Sequence, residues 1–218
     1  MKTDRQLQQD VLEELQWEPA VEASAIGVEA TDGVVTLAGH VASFPEKWAA
    51  EDAAQRVAGV KGVVVEIDVR IPDSSKRTDA ELVKAAAHAL DWNSAVPKGA
   101  IKIAVSHGLV NLSGEVDWAY QRATAIAAVR HLIGVRGVTD QITLKRHPIN
   151  AHGVRRKIQA ALHRQAQIDA NAITIDVDGN SIKLGGVVDS WSEKMAARNA
   201  AWSAPGVQAV VDNLSVAD

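Results

Sequence analysis

The chain reads as an α+β protein of three tandem α-β-β-α-β units, each a three-stranded mixed sheet with two helices on one face. Three observations predict it. A short motif recurs at offsets of 75 and 72 residues: Thr-Leu-Ala-Gly-His-Val at 36–41, Asn-Leu-Ser-Gly-Glu-Val at 111–116 and Lys-Leu-Gly-Gly-Val-Val at 183–188. A second motif keeps those offsets: Gly-Val-Lys-Gly-Val at 59–63, Gly-Val-Arg-Gly-Val at 134–138 and Gly-Val-Gln-Ala-Val at 206–210. Within each unit the apolar period alternates between helical and extended. A repeat fixes the unit of folding. The units are placed at 1–70, 79–146 and 150–218, joined by short Pro-containing linkers at 72–78 and 146–150. A unit of about 70 residues buries only a modest core, so contacts between neighbours should help it.

Each unit opens with an amphipathic helix. Leu7, Val11 and Leu15 share a face, as do Leu82, Ala86 and Leu90, and Val154, Ile158 and Leu162. Asp4 and Asp79 stand where an N-cap belongs, with Asn150 the candidate in the third unit. A strand follows (Ile26 and Val28; Ile101, Ile103 and Val105; Ile173, Ile175 and Val177), then a Gly-containing turn. The Asp176–Asn180 run is such a turn; it lacks the later ligands of a calcium loop. The second strand carries Gly39, Gly114 or Gly186 on its apolar face. A strand glycine implies a close approach, here expected to be by the Ala-rich helix that comes next: Glu46–Val57, Gln121–Leu132 and Glu193–Ala204. Gly59, Gly134 and Gly206 stop those helices. The last strand spans 63–70, 138–145 or 210–216, and strand–helix–strand requires a right-handed crossover to a parallel neighbour.

Composition narrows function. There is no cysteine, which excludes disulfides and thiol chemistry and fits a reducing compartment. No apolar run approaches the ~18 residues of a membrane-spanning helix, and no secretory h-region precedes the first repeat. As written the chain is expected in the cytoplasm, or in the periplasm if a leader has been removed. Residues 1–70 hold 6 Lys/Arg against 13 Asp/Glu, residues 79–146 hold 8 against 6, and residues 147–218 hold 7 against 7. An acidic first repeat argues against nucleic acid as a partner.

Helix, hairpin with Leu-x-Gly-x-Val, Ala-rich helix, then Gly-Val-x-x-Val and an alternating strand resembles the BON domain, named from bacterial osmotic-shock and nodulation-related proteins. The second repeat carries the pattern in Leu112, Gly114, Val116, Ala128, Gly134, Val135, Val138, Ile142 and Leu144, and the third in Leu184, Gly186, Val188, Ala200, Gly206, Val207, Val210, Leu214 and Val216. The resemblance implies a non-enzymatic module that binds phospholipid or protein, in a bacterial protein linked to osmotic or envelope stress and to transport.

Six of the eight aromatic residues are Trp. Trp suits a site that is apolar on one side and wet on the other. Trp17 and Trp92 follow the first helices at equivalent positions and are expected to cap the core. Trp118 and Trp191 lie at the strand 2–helix 2 junction, where binding residues collect. Arg155, Arg156 and Lys157, with His152, His163 and Arg164 around them, form a basic amphipathic helix suited to anionic lipid. The partner is thus an anionic phospholipid surface or a protein, with self-association or strand addition at exposed sheet edges as a route to the latter. A cytoplasmic sensor of monovalent cations or osmolarity is a third reading, carried by the family's osmotic association. No catalytic residue, metal site or cofactor motif is nominated.

Overall fold

A computed structural model describes residues 2–145, 151–164 and 172–217. Repeat 1 runs α1 (Asp4–Trp17), β1 (Ile26–Thr31), β2 (Val34–Val41), α2 (Phe44–Arg56) and β3 (Gly62–Val69). Repeat 2 runs α3 (Asp79–Trp92), β4 (Ile101–Ser106), β5 (Leu109–Val116), α4 (Ala119–Arg130) and β6 (Gly137–Leu144). Repeat 3 runs α5 (Ala151–His163), β7 (Ile173–Asp178), β8 (Ser181–Val188), α6 (Trp191–Trp202) and β9 (Ala209–Val216). Each makes its own three-stranded sheet with the second strand in the middle. β1–β2 and β7–β8 are antiparallel, and β2–β3 and β8–β9 parallel. The three units are therefore α-β-β-α-β, as the period predicts. By contact density the chain forms two compact units, Met1–Gly114 with Arg122–Ile142, and Glu115–Gln121 with Thr143–Asp218.

The helical stripes go where their spacing sends them. Leu7, Val11 and Leu15 are buried against Ile26, Val28, Val35, Leu37, Ala50, Ala53 and Ala54. Val154, Ile158 and Leu162 do the same in repeat 3. Along β3 and β9 the inward residues alternate with exposed ones. The turn is tied to the last strand by one bond repeated three times: the N–H of Lys61, Arg136 and Gln208 donates to the carbonyl of Gly33, Gly108 and Asn180 at 2.8, 2.9 and 2.9 Å.

Two local expectations need correction. The N-caps of the first helices are Thr3 and Thr78, not Asp4 and Asp79. Each threonine hydroxyl accepts from the N–H three residues on, while Gln6 or Glu81 returns a bond to the cap N–H, a reciprocal box that serves two otherwise free donors. The aspartates are the first helical residues. Asn150 and the 146–150 linker lie outside the described residues. The second helices also begin two residues earlier than expected, at Phe44, Ala119 and Trp191.

The second correction concerns the strand glycines. Gly39, Gly114 and Gly186 have φ of +139°, +139° and +122°. A Cβ there would lie 2.1, 2.1 and 2.0 Å from the carbonyl oxygen of Ala25, Ala100 and Ala172, just ahead of the first strand. The close approach is thus made by the backbone entering the neighbouring strand, not by the Ala-rich helix.

Within the first compact unit, the guanidinium of Arg130 lies 3.7 Å from the centre of the Trp48 ring. Burial lowers the Arg130 pKa, with the Asp52 carboxylate opposing the shift. The pair joins α2 of repeat 1 to the end of α4 in repeat 2.

Candidate functional site

Trp17 and Trp92 end α1 and α3, and they are 83% and 77% exposed. They do not cap the core. Trp17 is two residues beyond Leu15, hence about 200° round the helix from it, and the buried stripe cannot include it. The wheel carried that signal; the shared position in two repeats hid it. The equivalent residue of repeat 3 is Arg164, also exposed. Large exposed aromatic side chains forfeit burial, and they mark interaction surfaces more often than scattered aliphatics do.

Trp118 and Trp191 occupy different structural roles. Ser43 and Ser190 cap α2 and α6, each hydroxyl accepting from the N–H three residues on. Trp118 holds that position in repeat 2 and has no oxygen to offer. The Gln121 side chain accepts from the N–H of Asp117 and of Trp118 at 3.1 and 3.0 Å, as Glu46 and Glu193 accept from Ala42 and Asp189. The N–H that serine would serve, that of Gln121, turns instead to the Trp118 carbonyl at 3.1 Å, and the indole is left 39% exposed. Local rules are broken mostly at functional positions. Trp191 instead aligns with Phe44, which packs on the repeat 1 core. It is half-buried, with the Lys194 ammonium 5.4 Å from its ring centre.

On α5 the residues Arg155, Arg156 and Lys157 are all exposed, opposite the buried Val154, Ile158 and Leu162. Arg155 is engaged with Asp176 on β7 at 3.2 Å. Arg156, Lys157 and Arg164 form no ion pair with a described residue, so their charge faces solvent.

Repeat 2 holds a concavity. A cleft of about 80 Å³ lies between α3 and β4, lined by Ala87, Leu90, Val96, Pro97, Ile101 and Ile103, with Asp91 and Lys98 among its polar residues. Ile101 and Ile103 are half-buried, whereas their counterparts Ile26 and Val28 in repeat 1, and Ile173 and Ile175 in repeat 3, are buried.

Among the described residues no three His, Asp or Glu side chains gather to hold a metal ion, and no helix is long and apolar enough to cross a membrane.

Comparison with known proteins gives a family. No curated protein matches the chain. Two similar solved structures are of CdsD, a structural protein of the type III secretion system of Chlamydia trachomatis. One is 15% identical, covering 96% of this chain and 91% of that one at a TM-score of 0.28. The other, its C-terminal domain, is 14% identical and covers all of both chains at a TM-score of 0.27. At such scores neither likeness bears on fold or function. The family model for the BON domain matches three times, over residues 3–71, 78–146 and 150–218. The chain belongs to the BON domain family, of which it carries three tandem copies.

Proposed function

We propose that the chain binds anionic phospholipid surfaces peripherally, with Trp17 and Trp92 as interfacial anchors and α5 as the electrostatic contact. BON domains are non-catalytic, membrane-associated modules in general terms; the ligand and the residues named here are our reading. The observation that carries it is the exposure of two tryptophans at the same helix end in repeats 1 and 2. Trp is the side chain that gains most at a membrane–water boundary, where its ring is buried and its N–H stays solvated. An indole that buries about 100 Å² at such a boundary gains roughly 2.5 kcal/mol. Each cation on α5 that forms no ion pair with a described residue adds about 1 kcal/mol against anionic lipid. A link to osmotic or envelope stress is part of the same reading, since lipid packing and surface charge both respond to osmotic load.

The test is co-sedimentation of the whole chain with vesicles of phosphatidylglycerol or phosphatidylcholine across a salt series. Binding should be confined to the anionic vesicles and weaken as salt rises. Arg156→Glu with Lys157→Glu should abolish it. Equal binding to both lipids, or none at low salt, would defeat the proposal.

A further inference from the structure

In repeat 1 the first helix covers the edge strand twice. The Gln8 side-chain amide donates to the Val28 carbonyl on β1 at 2.6 Å. Leu12 packs on the core beside it, and Ile26 and Val28 are buried. In repeat 3 the residue at the Gln8 position is Arg155, which reaches over to Asp176 on the edge strand β7. Repeat 2 has Val83 and Ala87 at the two positions. Val83 is exposed and has no donor to offer. Ala87 is too short to close the sheet, and the cleft over Ile101 and Ile103 is the result. Its volume is of the order that a leucine loses on truncation to alanine. β4 is hydrogen-bonded on one side alone, to β5. No described side chain donates to the Ile103 carbonyl.

We infer that this edge of repeat 2 is a docking site for an extended segment of a protein partner, which adds to β4 as a fourth strand and places one aliphatic side chain in the cleft. A bare strand edge beside an apolar slot suits an added strand, whose main chain pairs with the edge while alternate side chains enter the slot. A lipid chain would fill the slot and leave the N–H and C=O groups of β4 unpaired. Lys102 lies on the outer face of β4, exposed, and Lys98 lines the cleft with Asp91. Neighbours across a sheet pair by charge, so the segment carries an acidic residue between two aliphatic ones. This inference does not rest on the lipid reading.

The probe is a fluorescein-labelled peptide of about ten residues with an alternating Ile-Glu-Ile-Glu-Ile core, titrated with the full chain in the absence of lipid and read by anisotropy. Saturable binding is expected. It should weaken at least about tenfold in Ala87→Leu, which fills the slot, and in Val83→Gln, which restores the repeat 1 cap. N-methylation of the peptide's edge-facing amides should abolish it. Thermal melts of both variants establish that they fold; Val83→Gln is a surface change and serves if Ala87→Leu does not. No saturable binding at millimolar peptide, or equal binding by both folded variants, overturns the inference. So does displacement by decanoate without any effect of N-methylation, which would make the occupant an acyl chain. A concentration-dependent dimer dissolved by Ala87→Leu would overturn it in favour of a second copy.

Discussion

Gly114→Ala is the sharpest perturbation of the fold. The added Cβ would stand 2.1 Å from the Ala100 carbonyl oxygen and 3.1 Å from its carbon. Both contacts are with backbone, so no rotamer change relieves them. The φ of +139° adds strain that an L side chain resists, about 1–3 kcal/mol. Displacing packed structure adds about another 1–3 kcal/mol. Together these give roughly 4 kcal/mol, against the roughly 3–10 kcal/mol expected for a domain of this size. A drop in Tm of some 15–30 °C for repeat 2 follows, at about 4–8 °C per kcal/mol. Circular dichroism melts and urea titrations of the full chain read it, with Gly62→Ala as control. Gly62 has open space at its Cβ and no positive φ, so the control should stay within about 0.5 kcal/mol of wild type. A Gly114→Ala protein within 1 kcal/mol of wild type would show that the carbonyl yields easily, and the backbone explanation would fail. Rescue by Ala125→Gly would point to the helix instead.

Three further effects are expected. Thr78→Ala removes the α3 cap and should cost about 1 kcal/mol, read by urea unfolding; no change would deny the capping box. Arg130→Ala should cost about 1–2 kcal/mol and alter Trp48 emission, since the guanidinium lies on that ring; an unchanged spectrum would contradict the pair. The Asp79 carboxylate accepts from the N–H groups of Gly108 and His107, which hold its pKa below the usual carboxylate range. Its contribution is therefore complete above the unfolded value of about 3.9 and disappears as pH falls through the lower folded value. Asp79→Asn should flatten the fall of Tm between pH 5 and pH 2, measured by calorimetry (test pH range on the order of the carboxylate titration). Identical slopes would refute it.

What sequence made legible was whatever the repeat period carries. The buried stripe of each first helix, the turn, the alternating strands and the parallel crossover all follow from residue type at fixed offset. The glycine was legible but its partner was not. A carbonyl oxygen at Ala25 or Ala100 has no side-chain signature, whereas an Ala-rich helix nearby does, and it drew the explanation to itself. Trp17 and Trp92 were hidden differently: their shared position suggested a structural role that their helical angle excludes. The cleft was latent in the sequence as the change from Leu12 in repeat 1 to Ala87 in repeat 2. It shows only once the strand beneath Ala87 is seen to be uncovered.

Membrane contact through the exposed tryptophans is tested most directly by fluorescence quenching with brominated lipids in phosphatidylglycerol vesicles. Wild-type emission should be quenched, and Trp17→Phe with Trp92→Phe should remove most of that quenching while the protein stays bound. Unquenched emission from vesicle-bound protein, or quenching undiminished in the double variant, would mean that these two side chains do not enter the interface.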